Sequence, residues 1–555
     1  MIRMNIPNLA FFAVLALLVL SGTAAAQAQP TSMPAAHTQP STMPTGQFIP
    51  FGRPAGAVDA TDAKDLNVIG YEYGTVPINR IVVLSPPTKP PIRNIGPLDV
   101  DNRFAARSIT TLQQWQKVRQ EIRKAVQDYC GQEPSDKIEL DAKLEKEEDK
   151  GDYVFKLVSY QFDGSHRSRM GLLIPKGAPS PGPAVLALDA YQKDEKCLET
   201  LCQGLYSRTF AAHLVRHGVT IVALDQFHQT FGHSSRLNTV GAAVHNISRV
   251  ISYLQTQKEP VNPKQIGIFG HIYGSELAQF AAAMEDRLAA VAASNSWMSE
   301  VMPYDTDYWG PPFWAQGYFF AEFMRAKERS QPDMYCSARQ ANTNPLPFLT
   351  QQMLGCMAPK PILVINGGVS LRGPGTPEAW EMIRPVYKLY GAADRIELIT
   401  HKLDTNLPPH VRDHLMDFFF RAMCGINPGK ATQETEQKIV GELKSGQAEK
   451  QLSAARLAGY WRLKAAVPEL EKLVSSQDVA LRRAAAKALE RCAAVKELFA
   501  FVQHEDAMVR LSAVEAIYTH GADKPTWRSL EKLVGDGDKW VREAKWQALQ
   551  LNPFE

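Results

Sequence analysis

The chain is short of cysteine, shows no excess charge of either sign and has one long apolar run, and each shortage excludes a class of protein. Seven cysteines in 555 residues (130, 197, 202, 336, 356, 424 and 492) are too few for a disulfide-built scaffold, and the odd count leaves at least one free thiol. None sits in a Cys/His cluster with zinc-site spacing, so neither a metal nor a cofactor is expected. Cys336 and Cys356, which bracket one loop, are the first candidate bridge, and Cys197 with Cys202 the second. The 61 Lys and Arg are interspersed with 58 Asp and Glu, for a net charge of +3. No basic stripe offers a footprint for nucleic acid or an anionic membrane.

The apolar run is Leu9 to Leu20, behind Arg3 and ahead of Thr23-Ala24-Ala25-Ala26. A bilayer span needs about 20 apolar residues. This shorter run, with its small-residue exit, reads as a secretory signal over 1–26, cleaved near Ala26 or Ala28, against the alternative of a retained anchor. The expected location is periplasmic or extracellular, with no membrane span in the mature chain.

What remains has ordinary globular composition, 45% apolar and 21% charged, and is too long for one core. Residues 27–105 are Pro-rich (Pro86, Pro87, Pro90 and Pro91 among them) and read as a disordered or extended arm. Trp115, Val118, Ile122 and Val126 then share one face of a helix near 110–128. Eight strands follow at α/β spacing: 153–162, 169–175, Ala184–Asp189, Val219–Asp225, Gln265–Phe269, Leu288–Ser294, Pro361–Asn366 and Ile396–Thr400. The later ones are continuous apolar runs, as in parallel strands buried on both faces. Residues 106–427 therefore read as an α/β domain, a doubly wound, mostly parallel eight-stranded sheet.

A helical linker over 428–455 leads to residues 456–555, where three segments align: Val-Pro-Glu-Leu-Glu-Lys-Leu-Val, Val-Lys-Glu-Leu-Phe-Ala-Phe-Val and Trp-Arg-Ser-Leu-Glu-Lys-Leu-Val. Each continues into an aspartate (Asp478, Asp506, Asp538), an arginine four residues on (Arg482, Arg510, Arg542) and an Ala-rich helix. The aspartate can cap the helix and pair with that arginine. Repetition at this period resembles HEAT-like repeats, an all-α solenoid that docks a protein partner, although a plain helical bundle is the alternative.

Ile266-Gly267-Ile268-Phe269-Gly270-His271-Ile272-Tyr273-Gly274 is an apolar strand running into a glycine-flanked turn. With Pro183 to Leu188, Arg216-His217-Gly218-Val219, Ala358-Pro359-Lys360-Pro361, Tyr390 to Arg395 and Leu407 to Arg412, it makes residues 106–425 resemble the α/β-hydrolase superfamily, within it the acetyl xylan esterases and dienelactone hydrolases. That resemblance implies a serine, an acid and a histidine in that chain order. Here the serine position on the elbow holds Ile272, the acid position Ser370 or Leu371, and the histidine position Thr405. Gly270, His271, Tyr273 and Gly274 keep the turn but supply no nucleophile.

Displaced substitutes are few. Ser275 falls on the first turn of the following helix, His401 ends the last strand, Asp305 and Asp307 follow a core strand, and Glu378 reads as a first-turn helix residue after Pro377. An aromatic insert (Trp297, Tyr304, Tyr308, Trp309, Phe313, Trp314) follows the strand ending at Ser294. It forms either the core of a cap or, with Tyr191, Ile272 and Tyr273, a platform for a small ester, acyl or glycan ligand. The expectation is an exported esterase-like pseudo-hydrolase that binds a ligand or a protein without turnover. The alternative is an active ester or glycan-ester hydrolase with a displaced constellation.

Overall fold

Short β-branched runs alternate with 3.6-period stretches through the first four hundred residues, and the computed structural model turns them into a layered sheet and its helices. It describes residues 109–131, 138–188, 210–224, 239–256, 259–271, 273–294, 350–367, 376–401, 407–521 and 536–550, with shorter pieces at 57–59, 68–71, 82–84, 237, 526–527 and 530.

Three short strands fall in the stretch that reads as an arm: β1 (Ala57–Asp59), β2 (Val68–Tyr71) and β3 (Val82–Leu84). After them come β4 (Lys143–Asp149), β5 (Tyr153–Gln161), β6 (Arg167–Pro175), β7 (Gly182–Leu188), β8 (Thr220–Leu224), β9 (Val261–His271), β10 (Ala290–Ser294), β11 (Ile362–Gly367) and β12 (Ile396–His401). The main sheet runs β4-β5-β6-β8-β7-β9-β10-β11-β12-β2, while β1 and β3 form a separate antiparallel pair. Pairing is antiparallel from β4 to β8 and parallel from β8 to β2.

All eight expected strands are present, but the sheet has ten. The two additions carry no buried-strand signal. β4 reads Lys-Leu-Glu-Lys-Glu-Glu-Asp and is exposed or half-exposed throughout, which an antiparallel edge strand tolerates. β2 has four residues inside a Pro-rich stretch and pairs from Leu398 with Val68 to His401 with Tyr71.

β7, β8 and β10 are buried at every position. Covering them are α1 (Leu112–Cys130), α2 (Phe210–Val215), α3 (Thr239–Gln255), α4 (Tyr273–Met284), α5 (Thr350–Gly355), α6 (Thr376–Leu389) and α7 (Pro409–Cys424). α1, α3, α4 and α5 build one core, and α2 and α7 build the core on the opposite face. A reciprocal cap starts α1: Gln114 N donates to Thr111 Oγ1 at 3.2 Å and Thr111 N to Gln114 Oε1 at 3.1 Å. Trp115, Val118, Ile122 and Val126 are buried, as their spacing requires. Cys130, Cys356, Cys424 and Cys492 are free thiols, while Cys336, the partner expected for Cys356, and the pair Cys197 and Cys202 lie outside the described residues. Burial in an apolar core pushes the Cys356 thiol up to about 12 and keeps it inert.

The C-terminal part is helical: α8 (Gln433–Leu443), α9 (Ala448–Trp461), α10 (Val467–Leu473), α11 (Val479–Arg491), α12 (Val495–Phe499), α13 (Ala507–His520) and α14 (Lys539–Gln550). Asp478, Asp506 and Asp538 cap α11, α13 and α14, accepting from Leu481 N at 3.0 Å, Met508 N at 2.9 Å and Trp540 N at 2.8 Å. The arginines do not pair back onto their own capping aspartates. Arg482 reaches Asp506 at 2.9 Å and Arg510 reaches Asp536 at 2.7 Å, because a helix-start arginine faces the next unit across the groove. Among the described residues no helix is long and apolar enough to cross a membrane.

Candidate functional site

Strand order reverses around β7, which has β8 on one side and β9 on the other, and in such sheets ligands bind outside the carboxyl ends at this crevice. β9 delivers Gly270 and His271 to that edge, and α4 begins at Tyr273. Both glycines of the turn are required sterically. A Cβ on Gly270 would stand 2.0 Å from the Gly274 carbonyl oxygen, and one on Gly274 would stand 2.2 Å from the Leu188 carbonyl oxygen of β7. The backbone therefore doubles back tightly from strand to helix, with its flanking residues pressed against each other and the neighbouring strand. A tight strand-to-helix bend of this kind is what the hydrolase elbow uses; position 272, inside it, lies outside the described residues.

Beside it, His271 and Ser294 end β9 and β10 in register. His271 Nδ1 lies 3.2 Å from Ser294 Oγ, with His271 2% exposed and Ser294 0% exposed. An imidazole within reach of a hydroxyl is the first ingredient of a nucleophile–base pair. Ser294 ends an expected strand and His271 lies two residues beyond one, but local pattern marks His271 only as support for the turn and Ser294 not at all. Only the parallel register of β9 and β10 brings them together.

Ser275 is fully buried on the first turn of α4, and its Oγ makes no hydrogen bond, which suits packing and not attack on a ligand. Tyr273 is the first residue of α4, His401 the last of β12, and Glu378 lies in the first turn of α6, after Pro377. Ile272, Ser370, Leu371, Thr405, Asp305, Asp307, Tyr191, Trp297, Tyr308, Trp309 and Trp314 lie outside the described residues. Among the described residues no group of His, Cys, Asp and Glu could hold a metal ion.

A carboxylate–histidine pair does occur on β12, at the wrong end. Glu397 accepts from Arg421 at 2.6 Å and lies 2.9 Å from His414 Nε2. Burial would raise this carboxyl, but the His414 contact and the Arg421 charge prevail and hold it at about 2. Glu397 is the second residue of β12, at the edge opposite the elbow, so the cluster fastens α7 to the sheet.

A larger ionic cluster joins α2 and α7 to the C-terminal helices. Arg491 of α11 donates to Asp413 and Asp417 of α7 and to the Gly459 carbonyl at 2.8 Å, and its Nη1 lies 3.0 Å from His217 Nδ1. Arg462 donates to the same two aspartates, and Tyr460 OH to the Gly218 carbonyl. Arg412 donates to Glu515 of α13 at 2.6 Å and to the Leu407 carbonyl at 2.9 Å. Burial, and then nearby lysine and arginine charges, hold His217 well below its ordinary value and therefore neutral; burial does the same for His213. Burial alone would raise Asp413, but Arg462 and Arg491 outweigh it and hold the carboxyl well below the usual carboxylate range. One face of the helical region is thus occupied by the chain's own α/β domain.

A sheet in this order, antiparallel at one end, with a strand-to-helix bend at the crevice, fits the α/β-hydrolase fold. Its solved neighbours carry esterase names. They include a glucuronoyl esterase from Solibacter usitatus (16% identity over 56% of this chain and 93% of that one, TM-score 0.44). Others are a carbohydrate esterase family 15 glucuronoyl esterase from Caldicellulosiruptor kristjansonii (18%, 59% and 90%, TM-score 0.42) and a glucuronoyl esterase of the same family from Teredinibacter turnerae (17%, 56% and 86%, TM-score 0.41). No family model and no curated protein sequence matches the chain. At such identities and TM-scores no activity follows; the fold assignment rests on strand order and on the bend.

Proposed function

We propose that this is an exported, esterase-like protein that binds a ligand or a partner without acyl transfer, and that its C-terminal helices form a short HEAT-like solenoid. One observation carries the reading: the tight Gly270–Gly274 bend is kept at full steric cost while the residue it would present is Ile272. An aliphatic side chain has no lone pair with which to attack a carbonyl. The apolar signal-like run before Ala26 supports export. A small ester, acyl or glycan fragment is the ligand class the aromatic insert at 297–320 suits, and the helical face turned away from α7 suits a protein partner.

The test is fluorophosphonate labelling of the purified protein beside short-chain nitrophenyl ester assays. The expected result is no labelling and no turnover above an Ile272→Ala control. Ile272→Ser alone is expected to stay inactive, since Thr405 stands where a base is needed.

A second reading rests on the His271–Ser294 contact. If it is a displaced nucleophile and base, wild-type turnover appears and Ser294→Ala abolishes it. Their near-complete burial favours the first reading.

A further inference from the structure

At the amino ends of β10 and β11, the edge of the sheet opposite the bend, there is a cavity of about 420 Å³. It lies between α1, the α4–β10 turn, the α5–β11 turn and the end of α6, and its size suits a small molecule.

Its charged groups are held in place and spent on one another. Arg119 Nε donates to Cys356 O at 2.9 Å and its Nη2 to Asp286 Oδ1 at 2.8 Å. Arg123 Nη1 donates to both Asp286 oxygens, at 2.7 and 2.8 Å. Lys360 Nζ donates to the Asp286 carbonyl and, at 2.8 Å, to Leu288 O. Burial would raise the Asp286 carboxyl, but hydrogen bonds from Arg123 and Arg119 outweigh it and hold the group below its ordinary value, so it stays ionised. Its side chain is 64% exposed, and a carboxylate has about four lone-pair positions, so it has room for a further donor. With both cations occupied in this way, little is left to draw an anion.

What stays open is uncharged. Gln116 and Gln120, one turn apart on α1, are exposed, and their side-chain amides make no hydrogen bond among the described residues. Tyr390 packs partly against the core and is half-exposed, and its hydroxyl makes none either. Each amide offers donors and an acceptor, the phenol offers both, and the Tyr390 ring and Pro359 add apolar surface beside them. Paired donors and acceptors around an apolar patch complement a ring that carries several hydroxyls and no charge.

We infer that this cavity binds a neutral carbohydrate ring. Its hydroxyls take the Gln116 and Gln120 amides, the Asp286 carboxylate and the Tyr390 hydroxyl, and its C–H face lies against the Tyr390 ring and Pro359. The cavity opens to solvent, so the ring can be one unit of a longer chain. The site is separate from the bend at Gly270–Gly274 and does not depend on the reading of Ile272.

Calorimetric titration of the full chain with cellohexaose and xylohexaose, beside sorbitol as an open-chain polyol, tests it, with saturation-transfer NMR as a second readout. Saturable binding of at least one hexasaccharide is expected, with sorbitol tenfold or more weaker. Gln120→Ala should weaken binding about fivefold, the size of one lost hydrogen bond, and Gln116→Ala with Gln120→Ala more than tenfold. Both are exposed helix positions where alanine favours the fold. Lys124→Ala, on the same helix but outside the cavity, should leave binding unchanged. Absence of saturation by both hexasaccharides, sorbitol binding as tightly, or a Gln116, Gln120 double variant that binds like wild type would each overturn the proposal. The last result would move the carbohydrate to the bend and its aromatic insert.

Discussion

Replacing Arg491 by Met removes one guanidinium from the junction while keeping an unbranched apolar stem. The side chain is among the largest fully buried ones in the chain, sits 5.2 Å over the Phe420 ring and donates to Asp413, Asp417 and Gly459 O. Without it, the guanidinium that both aspartates keep is that of Arg462, whose side chain is 24% exposed. Breaking one side of a buried ionic cluster costs about 3–5 kcal/mol, chiefly because the remaining charges stay desolvated. The Gly459 carbonyl adds about 1 kcal/mol for its lost partner. The expected loss is therefore about 5 kcal/mol, read by urea unfolding and localised by hydrogen exchange in α7, α9 and α11. The triple variant Arg491→Met, Asp413→Asn, Asp417→Asn removes the stranded charge and should recover more than half. A single-variant loss below about 1 kcal/mol would refute the reasoning, since the cluster would then be as weakly coupled as a surface pair.

The same junction sets a pH dependence through Glu490, which burial pushes up to about 7 against the opposing pull of Lys487 at 2.5 Å. A carboxyl raised above its unfolded value holds its proton longer in the fold, so its contribution is complete below about pH 4.5 and fades as pH rises to 7. Glu490→Gln should flatten stability between pH 5 and 7 and leave the variant about 1–3 kcal/mol more stable than wild type above it; an unchanged slope would refute the assignment. Asp413 and Glu515 act with the opposite sign, their lowered carboxyls withdrawing stability only as pH falls below about 4. Gly274→Ala should cost about 3 kcal/mol, since its Cβ meets the Leu188 carbonyl, whereas Gly441→Ala in α8, with open space around it, should gain up to about 1 kcal/mol. Equal effects in thermal melts would show that the bend is looser than the packing implies.

Sequence reading reaches as far as local pattern reaches. The eight buried strands and the amphipathic α1 announce themselves because each hides a face, and hiding a face needs a periodic apolar signal. β4 hides none, and its strand character comes from the β5 backbone beside it. The bend is legible because two glycines four residues apart, at the end of an apolar strand, suit a tight reversal and little else. The His271–Ser294 contact is not, because 23 residues of chain separate two side chains that only strand register brings together. The expected pairing of each capping aspartate with the arginine four residues on fails for a related reason. Capping is local to one helix, as at Asp478, whereas the choice of arginine partner depends on how one helical unit sits against the next, as Arg482 to Asp506 shows.

The junction also changes what the helical region is for. Read from sequence, three aligned segments suggest HEAT-like repeats that dock a protein partner. In the folded chain, Glu515 on α13 holds Arg412, and Arg412 holds the Leu407 carbonyl just ahead of α7. Two buried side chains thus connect the C-terminal helices to the segment that leads into α7. The helices are a brace for the α/β domain first, and any partner they bind must do so on the face that the brace leaves open.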